Sequence, residues 1–301
     1  MINGILNVYK EKGFTSHDVV AKLRWILKQK KIGHTGTLDP EATGVLPVCL
    51  GNGTKLCEML SDKSKEYVAE LLLGITTDTQ DMTGTIITKK EVNITPLQAE
   101  QAILSFLGSY HQIPPMYSAL KVNGKKLYEL ARAGIEIERE ARPLVIEELE
   151  ILELNLPIVK FRVACSKGTY IRTLCYDIGE KLGCGGTMNA LIRTKASIFE
   201  LKDAFTLSQI EEMNDGGALL QEIHSVDSVF LHLRKMSIKK EFRKFLDNGN
   251  SLFLNQLEIG ECEILEEEEQ VRIYDDYGNF CAIYVFDSIK NCMKPLKMFP
   301  Q

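Results

Sequence analysis

The sequence predicts an α+β protein in which a mixed, largely antiparallel central sheet is flanked by helices and followed by a small β-rich domain. Strand and helix patterns are mixed without the regular βαβ order of a doubly wound fold, and no G-x-G-x-x-G motif opens a helix. The segments after residue 250 become short strands. With 301 residues, 45% of them hydrophobic and 26% charged, the chain has the length and composition of about two globular domains.

The first half of the chain contains clear local signals for helices and strands. Apolar residues at the 3.6-residue period follow Ser16, which can act as an N-cap, and predict a basic amphipathic helix. A second helix begins at the N-cap Thr95, with Pro96 at N1 and Gln98 as the capping-box partner. We expect this second helix to end at Gly108. Strands are expected at residues 66–75 and 85–88, separated by the turn-rich residues 77–84.

A pair of strands and a helix are predicted in the middle of the chain. The strands cover residues 144–154 and 158–166, and alternating apolar residues such as Phe161 face inward in the second strand. A helix follows, with Gly183 at its C′ position.

The C-terminal part of the chain predicts a separate β-rich unit. Strands at residues 271–274 and 280–285 flank a turn that contains Gly278, which is typical of a hairpin. We place the boundary near residue 233, so that the two domains cover residues 1–233 and 234–301.

Cysteine and histidine usage argues against a metal site. The eight cysteines include no C-x-x-C pair, and the five histidines include no H-E-x-x-H motif. We therefore expect reduced thiols and no metal or other cofactor. No apolar run approaches the ~18 residues of a spanning helix and no secretory signal is recognisable, so the expected location is the cytoplasm, without membrane contact.

The charge distribution is uneven along the chain. The net charge of -5 argues weakly against a nucleic-acid partner. However, residues 1–35 carry seven Lys or Arg against two acids, residues 160–202 carry eight against three, and residues 258–269 hold seven glutamates. A local basic patch is sufficient to meet a phosphate backbone. Ordinary solvated surface charge is an equally good interpretation of each patch.

The segment GHTGTLDPEATGVLP at residues 33–47 is the densest unusual sequence. Its three glycines and two prolines predict a shaped loop rather than a helix or a central strand. Asp39 precedes Pro40, which favours an extended backbone and lets the carboxylate point into a cleft. An Asx-turn is the alternative role for a lone loop aspartate. Arg172, which follows a strand end at residues 166–168, could hold this carboxylate ionised as a nucleophile.

A second unusual segment covers residues 112–132 and interleaves aromatic and cationic side chains. Tyr117 follows two prolines, and Lys121 leads a series of basic residues. This mixture is typical of RNA-binding surfaces. A plain loop followed by a basic helix explains the segment almost as well.

Together and in their order along the chain, the segments at residues 33–47, 112–132 and 166–172 resemble the TruB family of tRNA pseudouridine synthases. The C-terminal residues 246–249 and 295–299 resemble the PUA RNA-binding module. The matching motifs of the first part lie at residues 9–16, 33–47, 65–67, 113–119 and 166–172.

The resemblance implies a role for individual residues. Asp39 would be the catalytic aspartate, Tyr67 would stack on the flipped uracil, and Arg172 would pair with Asp39. The implied substrate-binding residues are His34, which would fill the space that the base leaves, Tyr170 and Leu191, which would line the pocket, and Lys121 and Arg193. The implied structural residues are Lys10, Gly13, Gly36 and Pro40. Two departures from the family pattern are Glu11, where a proline is frequent, and Ile192, where many members carry a second arginine.

The resemblance also implies a reaction and a partner. Such an enzyme flips uridine 55 of the tRNA T loop into a pocket, breaks the glycosidic bond with the help of the aspartate, and forms a carbon–carbon bond to the same ribose. It would use no cofactor, bind the T-arm of tRNA as a monomer and require no protein partner. Attack of Asp39 on the ribose and on the uracil ring both stay open. The alternatives are a non-catalytic RNA-binding protein or tRNA-folding chaperone, and a synthase that modifies another RNA, including a guide-dependent relative.

Overall fold

The structure is a computed structural model that describes residues 1–122, 124–258 and 264–299. Cys262 and part of the glutamate-rich segment at residues 258–269 lie outside the described residues. The α-helices in these ranges are α1 (Ser16–Ile26), α2 (Cys57–Ser61), α3 (Pro96–Leu104), α4 (Leu127–Arg132), α5 (Ile171–Lys181), α6 (Leu207–Asp215) and α7 (Arg243–Asp247). No helix in them is long and apolar enough to cross a membrane.

The strands fall into two larger sheets and two small hairpins. In chain order they are β1 (Gly4–Lys10), β2 (Ile32–His34), β3 (Thr43–Leu50), β4 (Lys65–Leu73), β5 (Ile75–Thr77), β6 (Ile86–Lys89), β7 (Gly108–Gln112), β8 (Lys121–Val122), β9 (Lys125–Lys126), β10 (Arg142–Asn155), β11 (Ile158–Cys165), β12 (Gly186–Ala196), β13 (Phe199–Glu200), β14 (Arg234–Ile238), β15 (Leu252–Phe253), β16 (Leu257–Glu258), β17 (Gln270–Tyr274), β18 (Phe280–Asp287) and β19 (Cys292–Met298).

The larger sheet has the order β1-β3-β12-β4-β11-β10-β7, with β2 added to β3 and β13 added to β12. Its strands pair antiparallel, apart from the short parallel contact of β3 with β12. Alternate residues of β1 face opposite layers: Leu6 packs with α1 and α6, whereas Ile5 packs against the second sheet. Helices α3 and α5 cover the other half of the sheet. The predicted α+β class with a largely antiparallel sheet is confirmed.

The second sheet has the order β15-β19-β18-β17-β14-β16 and begins at Arg234. Its own apolar cluster includes Met236, Ile238 and Tyr284. The hairpin of β17 and β18 is the one predicted around Gly278. A small β-rich unit thus follows the central sheet, as the fold-class prediction states.

Two predicted helix ends are wrong by a few residues. Thr15, not Ser16, caps α1, because the Thr15 side chain accepts a hydrogen bond from the Asp18 N–H and the Asp18 side chain accepts one in return. Helix α3 ends at Leu104, and Gly108 with φ of +92° begins β7 instead. The predicted capping box at the start of α3 is confirmed.

The loop prediction for residues 33–47 and the strand prediction for residues 66–75 are partly wrong. Only residues 35–42 form a loop, since β2 and β3 extend into both ends of the segment. Only glycine is accommodated at position 44 of β3, because a Cβ atom there would lie 2.2 Å from the Arg193 carbonyl oxygen and φ is +104°. The strand predicted at residues 66–75 breaks at Gly74, where φ is +88°.

Candidate active site

Most of the predicted site residues line one recess of about 390 Å³. The loop of residues 35–42 forms one wall, and β4, β12 and the start of α5 form the others. The predicted residues that line this recess are Gly36, Asp39, Tyr67, Tyr170, Arg172, Leu191 and Arg193.

Asp39 and Arg172 meet across the recess although 133 positions separate them. Arg172 Nη2 lies 3.3 Å from each carboxylate oxygen of Asp39. The same nitrogen donates to the Tyr117 carbonyl oxygen at 2.8 Å, which fixes the guanidinium in place. The Arg172 side chain is only 7% exposed, whereas that of Asp39 is 37% exposed, so the carboxylate is the accessible member of the pair.

The environment of Asp39 pulls its pKa in two directions. Burial raises the pKa of the Asp39 carboxyl, and the nearby Asp81 carboxylate adds to this rise. Arg172 and Lys10 oppose the rise because their positive charges favour the ionised form. Asp81 also lies 3.8 Å from Arg172 Nη1, so one guanidinium stands between two carboxylates.

The loop that carries Asp39 is held from below by the segment before α1. The Pro40 carbonyl oxygen accepts hydrogen bonds from Gly13 N at 2.9 Å and from Lys10 Nζ at 3.0 Å. Lys10 Nζ also donates to the Phe14 and Glu11 carbonyl oxygens. Burial lowers the pKa of Lys10 to about 8. These contacts support Lys10, Gly13 and Pro40 in the structural role predicted for them, and Glu11 contributes through its main chain.

Ser16 adds a further contact under the same loop. Its hydroxyl accepts a hydrogen bond from Leu38 N at 2.9 Å and lies 3.3 Å from the Leu38 carbonyl oxygen, to which it donates. Leu38 immediately precedes Asp39, so the first residue of α1 fixes the backbone beside the carboxylate.

Tyr67 and Arg193 are cross-strand partners in the floor of the recess. Burial raises the pKa of the Tyr67 hydroxyl, which therefore stays protonated near neutral pH. Arg193 is only 1% exposed, with Nε donating to the Val45 carbonyl oxygen at 2.6 Å and Nη2 to the Gly36 carbonyl oxygen at 3.2 Å. Arg193 therefore faces the recess and the loop, not an outer surface.

His34 and Lys121 are not among the residues that line the recess. His34 lies at the end of β2, where its Nδ1 accepts a hydrogen bond from Gly36 N at 3.3 Å. Burial, with Arg193 and His17, lowers the pKa of His34 and favours the neutral ring. Lys121 is exposed on the β8–β9 hairpin.

The β8–β9 hairpin leads into an aromatic side chain that does line the recess. The Tyr128 ring has Lys126 Nζ at 5.2 Å and Arg132 Cζ at 5.4 Å from its centroid. The aromatic and cationic mixture predicted in this segment therefore borders the mouth of the recess.

The sequence analysis assigned no role to two residues of the site: Asp81, which approaches Arg172, and Lys65, which lines the recess. Asp81 is buried in the turn between β5 and β6 and accepts hydrogen bonds from Thr79 and Thr83, so its pattern looks like an ordinary Asx-turn. Lys65 donates to the Ser61 and Lys63 carbonyl oxygens, and burial lowers its pKa to about 8. The position of Lys65 two residues before Tyr67, within the motif at residues 65–67, was the available signal.

A second recess of about 560 Å³ adjoins the first; Asp39, Met188 and Leu191 line both, and Asp81 lines only the second. Ile192 lines this second recess and lies half-buried opposite Thr43 and Val68. The described ranges, 1–122, 124–258 and 264–299, contain no group of three or more His, Cys, Asp or Glu side chains that could hold a metal ion.

Comparison with known proteins gives consistent matches. Residues 24–171 match the model of the TruB family pseudouridylate synthase N-terminal domain, and residues 172–230 match that of the tRNA pseudouridylate synthase B C-terminal domain. The tRNA pseudouridine synthase B of Lachnoclostridium phytofermentans is 52% identical over 99% of this chain and 100% of its own. That of Alkaliphilus oremlandii is 49% identical over 99% of this chain and 98% of its own.

A solved structure shares the fold over the same length. It is an H/ACA RNP bound to a substrate RNA containing 2′-deoxyuridine, one chain of which superposes with a TM-score of 0.73 and 25% identity. The superposition covers 99% of this chain and 85% of that chain.

Proposed function

This chain belongs to the TruB family of pseudouridylate synthases, and from that membership we propose that it isomerises uridine to pseudouridine in tRNA. One observation carries the proposal: the accessible Asp39 carboxylate, paired with the buried Arg172 guanidinium, in a recess whose floor holds Tyr67. A protein that only bound or folded RNA would not need this pair in a closed recess.

The reaction breaks the bond between ribose C1′ and uracil N1 and forms one between C1′ and C5. The C5 proton leaves and N1 gains a proton, so no oxidant, reductant or cofactor is consumed. Asp39 acts as the nucleophile, and Arg172 keeps its carboxylate oriented and ionised. Tyr67 stacks on the flipped base, and Tyr170 and Leu191 enclose it.

The proposed substrate is the T-arm of tRNA, with uridine 55 as the target. Lys121, Lys126 and Arg132 lie on or beside the hairpin at the mouth of the recess and supply positive charge for the RNA backbone. His34 occupies the space that the flipped base leaves, and Arg193 contacts the substrate from the recess floor. In this proposal the protein works as a cytoplasmic monomer, without an obligatory protein partner.

We assign two domains to these tasks. Residues 1–233 form the catalytic domain, and residues 234–301 form a PUA-like RNA-binding domain. The start of β14 at Arg234 and the separate apolar cluster of the second sheet support this division.

The test is a position-resolved pseudouridine assay on an unmodified tRNA transcript. We expect the wild type to form pseudouridine at position 55, and Asp39→Asn to lose at least about 1,000-fold in rate while it binds tRNA normally. Asp62→Asn, which removes an exposed carboxylate paired with Lys167, is the matched control and should keep full activity. No product with the wild type would refute the activity, and product at another position would refute the T-arm assignment. Substantial turnover by Asp39→Asn would remove Asp39 from the nucleophile role.

A further inference from the structure

Gln112, at the end of β7, clamps the main chain of a residue 58 positions away. Its Oε1 accepts a hydrogen bond from Tyr170 N at 2.8 Å, and its Nε2 donates to the Tyr170 carbonyl oxygen at 3.0 Å. Gln112 is only 1% exposed, so water does not compete for these bonds. One side chain thus satisfies both polar groups of Tyr170.

A second pair of side chains fixes the orientation of the Gln112 amide. Gln112 Nε2 also donates to the Tyr110 hydroxyl at 3.3 Å, and that hydroxyl donates its only proton to Asp177. The Tyr110 oxygen can therefore only accept from Gln112. Tyr170 N is a donor, so the atom of Gln112 that faces it must be the acceptor Oε1. Both neighbours therefore require the same orientation of the Gln112 amide.

Tyr170 is the residue where this clamp meets the recess. It is the N-cap residue of α5, and its side chain makes no capping hydrogen bond. Its ring lines the recess, with Arg172 Cζ 5.9 Å from the ring centroid. The Tyr170 carbonyl oxygen also accepts the first helical hydrogen bond from Leu174 N at 3.0 Å. Gln112 thus supplies from outside the helix the contact to the N-cap N–H that an N3 side chain supplies in a capping box.

We propose that Gln112 is a positioning residue, which holds the Tyr170 ring at the place where it encloses the flipped uracil. This inference rests on the proposed function, because it assigns Gln112 a part in that reaction. Gln112 does not line the recess and does not touch the substrate. Its effect passes through Tyr170, and a small displacement of a positioning group costs rate rather than affinity for the large RNA.

The test is a double-mutant cycle measured by single-turnover rate at saturating tRNA. Gln112→Met keeps the length of the side chain and removes all its hydrogen bonds. We expect Gln112→Met to slow the reaction by about tenfold or more, with tRNA affinity unchanged. In a Tyr170→Ala background, where there is no ring to hold, the same substitution should cost less than about twofold. Gln101→Met, on the exposed side of α3, is the matched control and should behave like the wild type.

The outcomes separate this inference from the proposed function. A wild type that forms no pseudouridine refutes the proposed function. If the wild type is active and Gln112→Met reacts at the same rate, the positioning role is overturned. An equal loss of rate in the wild-type and Tyr170→Ala backgrounds also overturns it, because a general structural effect lowers the rate by the same factor with or without the ring. If thermal melts show Gln112→Met unfolded, Gln112→Glu is measured in the same cycle. It preserves the shape and the acceptor, and replaces the donor that faces the Tyr170 carbonyl and the Tyr110 hydroxyl with an ionisable oxygen; a loss confined to the Tyr170 background supports the positioning role, and an equal loss in both backgrounds overturns it.

Discussion

The Asp39 carboxylate experiences opposing influences from a few neighbours. Burial and Asp81 favour its neutral form, whereas Arg172 and Lys10 favour the ionised form. Partial burial removes some of the water around the carboxylate, and Arg172 keeps it oriented. The acid side of the pH profile should therefore report on these neighbours.

We predict that Asp81→Asn moves the acid limb of kcat/KM to lower pH. In the proposed mechanism the ionised carboxylate of Asp39 is the reactive form, so we expect the rate to fall as the pH drops through its raised pKa. Removal of the Asp81 charge lowers the pKa of Asp39, and the ionised form then persists to lower pH. The measurement is kcat/KM against pH for both proteins, with Asp62→Asn as the control for loss of a remote carboxylate. A limb that stays in place, or moves to higher pH, would contradict the electrostatic coupling.

The contact between Asp39 and Arg172 could be predicted from the sequence, but Asp81 could not. The first two residues stand in unusual motifs, where proline and glycine imply a built loop. Asp81 stands in a run of Thr, Asp and Gly that reads as a turn, and it does form turn hydrogen bonds. Its burial beside Arg172 comes from the tertiary fold, which places β5 and β6 against the start of α5. The local sequence pattern around Asp81 does not indicate that it lies close to Arg172.

At the scale of elements, the beginning of α1 has two separate tasks. Thr15 caps the helix, whereas Ser16 points to the loop and binds the Leu38 backbone. Sequence alone could not divide these tasks, because both residues are good caps and they are adjacent.

We predict different consequences for Thr15→Ala and Ser16→Ala. Thr15→Ala should reduce the free energy of unfolding by about 1 kcal/mol through loss of the cap, with the rate of the folded enzyme unchanged. Ser16→Ala should also slow the reaction, because it leaves Leu38 N without its partner beside Asp39. Urea denaturation and single-turnover rates of both variants measure the two effects. Equal rates for the two variants would show that Ser16 does not act on the loop.

Strand β3 shows why glycine and proline content overstates loops. Pro47 stands in β3 opposite Asn7, and its carbonyl oxygen still accepts a hydrogen bond from Thr35 N. Gly44 is required by the close approach of the Arg193 backbone rather than by a turn. Both residues therefore serve a sheet, and only the eight residues 35–42 between β2 and β3 form the predicted loop.

At the scale of the whole molecule, the two sheets share a buried apolar cluster. Ile5, Val45 and Cys49 from the first sheet meet Phe280 from the second sheet and Phe299, which directly follows β19. The Phe280 and Phe299 rings lie 5.2 Å apart. Hairpins in the sequence predict part of the strand order within each sheet. The shared cluster, which we call the seam, joins segments that are too distant in sequence for a local pattern to predict their contact.

We predict that Phe299→Ala destabilises the protein by about 3 kcal/mol. Phe299 is 1% exposed and packs against the rings of Phe230 and Phe280, so truncation leaves a cavity in the seam. Phe253→Ala is the matched control, since Phe253 is 56% exposed and its truncation should change stability little. Equilibrium urea denaturation measures both. Similar values for the two variants would mean that the seam does not contribute to folding stability.

The shared cluster also dictates an order of events during synthesis. Ile5 is synthesised nearly three hundred residues before Phe299, which belongs to the same cluster. Domains generally form from the N-terminus during translation. We therefore expect the nascent first sheet to expose this apolar face until the last strands are made, and chaperones that bind hydrophobic surface recognise such a face.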